Sequence, residues 1–325
     1  MFKTPYHTAD LSQLQFLITG GAGFIGSNIT AYLLKYGAKK VRVLDNLSNG
    51  YYKNIEQFEG HPAFEFIEGD IRDLATCKSA MEGIDYVSHQ AALGSVPRSI
   101  NDPVTSNEVN VGGFLNMLVA QNDSPSVKRL VYAASSSTYG DSKVLPKVEA
   151  NIGKPLSPYA VTKLVNEIYA DVFYKTYATQ TIGLRYFNVF GPKQSPTGAY
   201  AAVIPLFMQA LVDDKAPTIN GDGTQTRDFT YVENAVQANI RSFFADDTAV
   251  NEVFNIAYGD RISLNELWNS LQEVSNKELA AVYGPPRQGD VKDSLADITK
   301  ARKLLGYDPL FSLQDGLKVT WEYFN

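Results

Sequence analysis

The sequence predicts an α/β protein with a doubly wound parallel sheet and a smaller C-terminal α/β lobe. Two observations carry this prediction: short apolar β-rich runs alternate with longer helical patterns, and a glycine-rich turn joins the first run to the first helix. Short apolar runs are typical of strands covered on both faces, and their alternation with helices is typical of βαβ units. A chain of 325 residues is long enough for about two lobes.

Five runs in the first part of the chain have the length and composition of strands: Phe16–Thr19, Val41–Asp45, Phe64–Ile67, Asp85–Ser88 and Leu130–Ala134. After the first run, Ile25, Ile29 and Leu33 recur every four residues, which predicts an amphipathic helix that ends near Gly37. Residues 1–13 precede the first strand, and they could form either a helix over the lobe or part of a dimer contact.

The composition excludes several classes of protein. Lys and Arg number 29 and Asp and Glu number 35, a formal net charge of −6, whereas nucleic-acid-binding surfaces are normally basic. No run approaches the ~18 apolar residues of a membrane span, and the N-terminal residues lack the apolar core of a signal peptide. The single cysteine, Cys77, fits a reducing compartment, and the three histidines are too scattered for a metal site. We expect a cytoplasmic protein that binds neither nucleic acid nor membrane.

The turn after the first strand, residues 20–26, is called the glycine turn below. It contains Gly20, Gly23 and Gly26 and is preceded by Thr19, a spacing that resembles short-chain dehydrogenases. Glycine allows close approach of the backbone, and the N–H groups that open the following helix attract a pyrophosphate. Asp45 ends the next strand, where a carboxylate binds the adenosine ribose and repels a 2′-phosphate, so NAD is expected rather than NADP.

The pattern changes after about residue 185, where Pro, Gly and Asn become frequent and longer loops separate the helices. We therefore expect an NAD-binding lobe over residues 1–185 and a substrate-binding lobe over residues 186–325. The apolar run Val253–Ile256 could return to the main sheet, so the second lobe need not be contiguous.

Three residues form a candidate catalytic set: Ser135, Tyr159 and Lys163. Tyr159 and Lys163 are one helical turn apart and share a face. An ammonium near a phenol lowers the phenol pKa from about 10 toward the working pH, and a nicotinamide cation would add to the effect. Such a phenolate can take a hydroxyl proton while NAD takes the hydride from the same carbon. Ser135 follows the strand Leu130–Ala134, at the edge where open α/β sheets bind ligands.

A series of short motifs occurs in order along almost the whole chain: Thr19–Gly26, Asp45-Asn46, Asp70-Ile71, His89–Ala92, Asn110, Ser135–Gly140, Tyr159–Lys163, Arg185–Asn188, Thr226–Asp228 and Arg287–Asp290. Together they resemble the extended short-chain dehydrogenase/reductase family and, within it, the UDP-N-acetylglucosamine 4-epimerases. The resemblance implies a Rossmann-type fold, a tightly bound NAD+ regenerated in each turnover, a UDP-sugar substrate and a homodimer.

The resemblance also implies which residues bind NAD: Gly20, Gly23, Phe24, Ile25, Gly26, Asp45, Asn46, Asp70, Ile71, Ala91, Asn110, Tyr159 and Lys163. Asp70 and Ile71 would flank the adenine. Ala91 would lie along the pyrophosphate, Lys163 would bond the nicotinamide ribose, and Asn110 would support the site from its helix.

For the sugar nucleotide, the resemblance implies contacts from Gly94, Ser95, Ser135, Ser136, Ser137, Asn188, Ala202, Val203, Arg227, Arg287, Asp290 and Ser294. Asn188, Arg227 and Arg287 would contact the diphosphate. The stretch Ala202–Pro205 would lie along the uracil, and Asp290 would bond the uridine ribose.

The three serines bear on the type of reaction. Ser135 would hydrogen-bond the sugar O4, with Tyr159 as the base. Ser136 and Ser137 stand where the 4,6-dehydratases of this superfamily carry an Asp-Glu pair. Because serine cannot replace that acid and base, dehydration is not expected.

Two positions bear on the sugar. Ser294 lies four residues after Asp290, where galactose-only epimerases have a bulky Tyr near the sugar C2, so its small side chain leaves room for an N-acetyl group. Gly94-Ser95 replace a Lys of the bacterial galactose epimerases. The expected reaction is interconversion of UDP-GlcNAc and UDP-GalNAc through a transient 4-keto sugar. Two alternatives stay open: epimerisation of UDP-glucose, and epimerisation of the C6-oxidised UDP-GlcNAcA, for which Arg98 could supply an additional cation.

Overall fold

The centre of the fold is a parallel sheet of seven strands, as the alternation of apolar runs and helices predicts. It is taken from a computed structural model, which describes residues 1–197, 201–286 and 292–325. The strands of the described chain are β1 (Gln15–Thr19), β2 (Lys40–Asp45), β3 (Phe64–Glu68), β4 (Tyr86–His89), β5 (Arg129–Ser135), β6 (Thr181–Tyr186), β7 (Val189–Phe190), β8 (Thr218–Asn220), β9 (Thr226–Arg227), β10 (Thr230–Tyr231), β11 (Glu252–Ile256), β12 (Ile262–Ser263) and β13 (Val282–Gly284).

The α-helices of the same ranges are α1 (Phe24–Lys35), α2 (Leu74–Met81), α3 (Val96–Asn101), α4 (Pro103–Asn107), α5 (Gly113–Asn122), α6 (Pro158–Tyr177), α7 (Val203–Val212), α8 (Val232–Phe243), α9 (Leu264–Ser275), α10 (Thr299–Leu305) and α11 (Leu313–Phe324). A π-helical turn, Glu108–Gly112, joins α4 to α5. The five strands predicted from the sequence are all present, with ends within two residues of the predicted ones.

The strand order of the main sheet is β11-β6-β5-β4-β1-β2-β3, and all neighbours are parallel. The order reverses between β1 and β4, and in open α/β sheets ligands bind at that reversal, beyond the carboxyl ends of the strands. The segment Glu252–Ile256 pairs with Thr181–Tyr186, so a strand from beyond residue 185 completes the sheet.

Alternate residues of β1 enter two separate cores, one on each face of the sheet. Phe16 and Ile18 pack in a cluster that includes Ile29 of α1 and Val236 of α8. Leu17 points to the opposite face, into a cluster formed with residues of α2, α5 and α6. Because both faces of the sheet are buried, its strands appear in the sequence as continuous apolar runs.

A third hydrophobic cluster lies away from the main sheet. Phe207 of α7, Leu267 of α9 and Leu317 of α11 are buried in one cluster, which is separate from the two clusters on the main sheet. Short pairs of strands accompany these helices: β7 with β10, β8 with β13, and β9 with β12.

The N-terminal segment is mostly not helical; one 3-10 turn, Leu11–Gln13, precedes β1. The segment crosses α1 and α8 because its groups pair with a buried carboxylate. The backbone N–H of Phe2 and the hydroxyl of Tyr6 donate to Oε1 of Glu233, at 2.7 and 2.6 Å. The Tyr6 ring also stacks on Tyr32 with 5.2 Å between ring centres.

None of the helices in the described ranges is both long enough and apolar enough to cross a lipid bilayer.

Candidate functional site

The glycine turn leaves space that side chains would fill. Gly20 has a φ of +68°, and a Cβ at this position would lie 2.6 Å from the backbone nitrogen of Ala91. A Cβ on Gly26 would lie 2.3 Å from the carbonyl oxygen of Gly20. Gly23 caps α1 without a side chain, and Phe24 and Ile25 form the first helical turn. The arrangement fits a pyrophosphate, because backbone N–H groups at a helix start can approach an anion closely here.

The carboxylate of Asp45 lies against the glycine turn. Its Oδ2 accepts a hydrogen bond from Ala22 N and its Oδ1 one from Leu47 N, both at 2.9 Å. Burial raises the pKa of Asp45, and the two N–H bonds oppose the shift. The carboxylate therefore lies at the end of β2 beside the turn, where a ribose contact is predicted.

Asn46 and Asp70 are joined across the ends of β2 and β3. The Asn46 amide donates to Asp70 Oδ2 at 2.9 Å, and the guanidinium of Arg72 lies 2.7 Å from the same oxygen. The hydrogen bonds from Arg72 hold the pKa of Asp70 at about 2. Ile71 is buried, and its carbonyl accepts a hydrogen bond from Asn116 at 3.0 Å. The two residues predicted to flank an adenine thus have fixed positions.

Asn110 connects the loop after β4 to α6. Its Oδ1 accepts from Leu93 N at 2.8 Å, and its Nδ2 donates to Leu93 O and to Thr162 Oγ1, at 3.2 and 3.1 Å. Asn110 lies in the π-helical turn, which aims this side chain into the protein, and such turns are frequent at functional sites. The loop held in this way carries Gly94 and also Ser95, which caps α3.

The loop after β4 is also attached to β1. Ala91 N donates to Thr19 Oγ1 at 3.3 Å, and Thr19 Oγ1 lies 2.8 Å from Nδ1 of His89. Burial lowers the pKa of His89 to about 3, so this imidazole is neutral and structural.

The candidate catalytic residues converge where β5 ends. Ser157 caps α6 by accepting from Ala160 N, and this starts the helix so that Tyr159 lies in its first turn. The Lys163 ammonium lies 5.9 Å from the centre of the Tyr159 ring and donates to Ala133 O at 2.7 Å. Ser135 Oγ, at the end of β5, hydrogen-bonds the Tyr159 side chain.

Two further hydroxyls adjoin Ser135. The backbone N–H and the hydroxyl of Ser137 donate to Ser135 Oγ at 3.1 and 2.9 Å. Ser136 is the first residue of the 3-10 turn Ser136–Tyr139, which directly follows Ser135.

Burial dominates the acid–base properties of this set. It raises the pKa of Tyr159, and the hydrogen bond with Ser135 only partly opposes the shift. It also lowers the pKa of Lys163 to about 8, opposed by the negative charge of Glu167. The sequence-based expectation of a lowered Tyr159 pKa is therefore wrong in direction. Desolvation of the phenol outweighs an ammonium whose direct contact is a backbone carbonyl.

Glu167 is one helical turn beyond Lys163 and is paired with a buried guanidinium. Its carboxylate accepts two hydrogen bonds from Arg185, at 2.9 and 2.7 Å, and the Arg185 guanidinium lies 4.9 Å from the centre of the Tyr139 ring. This bidentate pair anchors α6 to β6 beside the catalytic set.

A pocket of about 230 Å³, here called the α7 pocket, lies beyond β6. Four of the predicted substrate residues line it: Asn188, Ala202, Val203 and Arg227. The lining includes residues that sequence reasoning missed: Phe190, Gln194, Phe207, Asn220, Gln225 and Phe229. The sequence contained a clue to two of these residues: Phe207 shares a helix face with Val203, and Gln225 is two residues before Arg227.

Other predicted substrate residues lie outside the lining of the α7 pocket. Ser294 is half-buried, and its backbone N–H donates to Thr226 O at 3.1 Å, next to Arg227. Arg287 and Asp290 lie outside the described residues. Across the described ranges, the His, Cys, Asp and Glu side chains form no group that could hold a metal ion.

The family follows from comparison with known proteins. A profile of the NAD dependent epimerase/dehydratase family matches residues 16–257. The chain belongs to this family. This confirms the resemblance found in the sequence, and NAD is accordingly the cofactor, for which the glycine turn and Asp45 have suitable positions.

Individual relatives match almost the full length of the chain. It is 37% identical to a putative UDP-glucose 4-epimerase of Methanocaldococcus jannaschii, over 94% of this chain and 97% of that one. It is 34% identical to a UDP-glucuronate 4-epimerase of Thermodesulfobacterium geofontis, over 95% and 96%. The solved structure of a UDP-N-acetylglucosamine 4-epimerase from Methanobrevibacter ruminantium, in complex with UDP-N-acetylmuramic acid, is 36% identical with a TM-score of 0.91, covering 96% and 98%. The three names share the type of reaction and differ in the sugar.

The glycine turn leads to a prediction about cofactor binding. Gly26→Ala would place a Cβ 2.3 Å from Gly20 O and displace the turn. We expect bound NAD to fall about tenfold or more, because a loss of about 1.4 kcal/mol in binding free energy is enough to cause this change. NAD released from the denatured protein, measured by chromatography, checks this. Gly112→Ala, whose methyl group would meet open space, should keep the full NAD content; equal loss in both variants would contradict the argument.

Proposed function

We propose that this protein is a UDP-sugar 4-epimerase that interconverts UDP-GlcNAc and UDP-GalNAc. The observation that carries the proposal is the place of Ser135, Tyr159 and Lys163. β5 lies between β4 and β6 in the sheet. The loop that packs on the glycine turn follows β4, and Asn188 of the α7 pocket follows β6. The proposed catalytic set thus lies between the glycine turn and the α7 pocket, which supports a reaction between a cofactor and a sugar nucleotide bound on either side of it.

In the proposed reaction, Tyr159 takes the proton of the sugar 4-hydroxyl and later returns it. The glycine turn and Asp45 would hold NAD, which would supply the hydride acceptor and donor for C4 while the 4-keto sugar turns its other face. The Ser135 hydroxyl, next to the Tyr159 phenol, would orient O4. With a pKa of about 8, Lys163 is mainly protonated at neutral pH. Its charge and the nicotinamide cation of bound NAD would have to act against the burial that raises the pKa of Tyr159. No net oxidation occurs, and the bound NAD need not exchange.

The serine cluster supports epimerisation over elimination. Ser136 and Ser137 are adjacent to Ser135, and the Ser137 hydroxyl donates to Ser135 Oγ. A dehydratase needs a carboxylic acid and a carboxylate in this region to remove the 6-hydroxyl. Hydroxyl groups with ordinary pKa values cannot perform that proton transfer near neutral pH.

The choice of an acetylated sugar is supported by small residues. Ser294 adjoins the strand that carries Arg227, and a Cβ added at Gly94 would meet open space. Arg98, the candidate cation for a C6 carboxylate, donates to Asn49 Oδ1 at 3.1 Å. The small residues favour room at C2, which is the pattern expected for UDP-GlcNAc. The Asn49 amide is neutral and leaves the charge of Arg98 in place, so UDP-GlcNAcA stays the alternative substrate.

The direct test is to incubate the protein with UDP-GlcNAc and UDP-glucose in separate tubes without added NAD, and to follow the anomeric protons by NMR. Faster formation of UDP-GalNAc than of UDP-galactose is expected. Faster formation of UDP-galactose would replace the proposed sugar but keep the reaction. Turnover of neither, even with added NAD, followed by turnover of UDP-GlcNAcA, would assign the acidic sugar instead.

The pocket-size argument predicts the effect of Ser294→Tyr. A bulky phenol should exclude the N-acetyl group, lowering kcat/KM for UDP-GlcNAc by about tenfold or more relative to UDP-glucose, as a steric cost of about 1.4 kcal/mol would. Ser294→Ala, which removes the hydroxyl and stays small, is the control and should keep the preference. An unchanged ratio of kcat/KM values in the tyrosine variant would remove Ser294 from the argument.

The role of Tyr159 as base predicts that Tyr159→Phe lowers kcat by about 10²- to 10⁴-fold, the usual contribution of a positioned base. NAD content and the affinity for UDP should remain, because the ring and its packing are kept. Tyr177→Phe, an exposed position on the same helix, should retain full activity. A Tyr159→Phe enzyme with normal kcat would show that another group moves the proton.

A further inference from the structure

Asp228 is a fully buried carboxylate that accepts hydrogen bonds from three backbone N–H groups. Oδ1 accepts from Tyr258 N and Gly259 N, at 3.1 and 3.3 Å, and Oδ2 accepts from Ala296 N at 3.1 Å. Tyr258 and Gly259 belong to the turn after β11, whereas Ala296 belongs to the segment after residue 291. The carboxylate therefore joins the edge of the main sheet to a distant part of the chain.

The residues around Asp228 are those assigned to the sugar nucleotide. Its backbone carbonyl accepts a hydrogen bond from the Asn188 side chain at 3.1 Å. Arg227 directly precedes it. Ser294 lies two residues before Ala296, and its own N–H bonds Thr226 O. The segment that bears Ser294 is thus held at both ends, once by the backbone of β9 and once by the Asp228 carboxylate.

We propose that Asp228 is a positioning residue that sets the affinity for the sugar nucleotide, by holding the Ser294 segment and the turn after β11 in register with Asn188 and Arg227. It does so without touching the substrate, since its oxygens face backbone N–H groups. The inference rests on the proposed function for the roles of these three residues.

The protonation state of Asp228 should matter near neutral pH. Burial raises its pKa to about 7, the three N–H bonds oppose the shift, and the negative charge of Asp260 adds to it. Tyr307 also lies near Asp228; its hydroxyl donates to Ala257 O, and burial raises its pKa, so it stays neutral. Below about pH 7, one oxygen of the Asp228 carboxyl group would carry a proton. That O–H donor would face a backbone N–H donor, and one of the three hydrogen bonds would be lost.

The effect on overall stability has the opposite sign. Because the folded pKa exceeds the unfolded value, the protonated group favours folding, and this contribution is lost as the pH rises through about 7. A fall in sugar-nucleotide affinity on acidification would therefore not be a sign of partial unfolding through Asp228. The two trends can be separated by measuring binding and unfolding on the same samples.

Asp228→Asn provides the test, in a Tyr159→Phe background so that binding is measured without turnover. Asparagine keeps a carbonyl oxygen for Tyr258 and Gly259 but turns an NH₂ group toward Ala296 N. The Kd for UDP-GlcNAc, by calorimetry, should increase about tenfold at pH 8, the effect of losing a hydrogen bond to a charged group.

In the single Asp228→Asn variant KM should increase by a similar factor, with little change in kcat or NAD content. Asp260→Asn, the same change at an exposed neighbour, should leave Kd unchanged at pH 8.

The pH dependence of Kd is measured on the Tyr159→Phe protein with Asp228 intact, here called the parent. UDP-GlcNAc has no group that titrates between pH 6 and 8, so a Kd that increases on acidification reports the protein. We expect such an increase in the parent and a flat profile in Asp228→Asn. A wild-type Kd in the asparagine variant, or a parent profile that is flat, would overturn the inference while leaving the epimerase proposal intact. If Asp228→Asn does not fold, the direction of the parent profile decides: Lys163, with a pKa of about 8, gains positive charge on acidification and should lower the Kd for an anionic ligand, whereas loss of the Asp228 contacts should raise it. A parent that binds no UDP-GlcNAc at any pH would instead overturn the proposed function.

Discussion

The parallel arrangement of the main sheet is the constraint on which the rest of the structure depends. Because all seven strands run in one direction, their carboxyl ends meet at one edge, and each end can deliver a different group. β1 ends at the glycine turn, β5 at Ser135, and β6 two residues before Asn188. The glycine turn, the proposed catalytic set and the α7 pocket are therefore neighbours, although their residues are far apart in the chain.

Charges near this edge are held mainly by backbone groups. The Lys163 ammonium donates to a carbonyl of β5, and the carboxylates of Asp45 and Asp228 accept from backbone N–H groups. Backbone partners cannot move independently of the fold, so they fix these side chains more firmly than flexible charged side chains would. The cost is desolvation, which raises the pKa of both carboxyl groups and lowers the pKa of the ammonium. With pKa values of about 7 and about 8, Asp228 and Lys163 would make binding and proton transfer sensitive to pH in the ordinary working range.

Much of the architecture could be predicted from local patterns. The run Phe16–Thr19, the glycine turn and the Ile25 periodicity lie within one βαβ unit, where neighbours in sequence are neighbours in space. The Tyr159–Lys163 pair was equally accessible, because four residues on a helix define a shared face. The glycine positions follow from backbone crowding that no other residue tolerates. The pairing partner of each strand could not be predicted in this way, since pairs such as Glu252 and Ile182 join distant segments of the chain.

The sequence by itself thus determined the parallel α/β fold and the position of the glycine turn, because both follow from local patterns in the chain. It also supplied Ser135, Tyr159 and Lys163 as the proposed catalytic set. Only the tertiary structure decided the sign of the Tyr159 pKa shift, because desolvation depends on every element packed around the ring. It alone also showed that Phe207 and Asn220 line the α7 pocket and that Asp228 connects β11 to the Ser294 segment. Such contacts join residues tens of positions apart, and periodicity and spacing carry no information about which distant groups will meet.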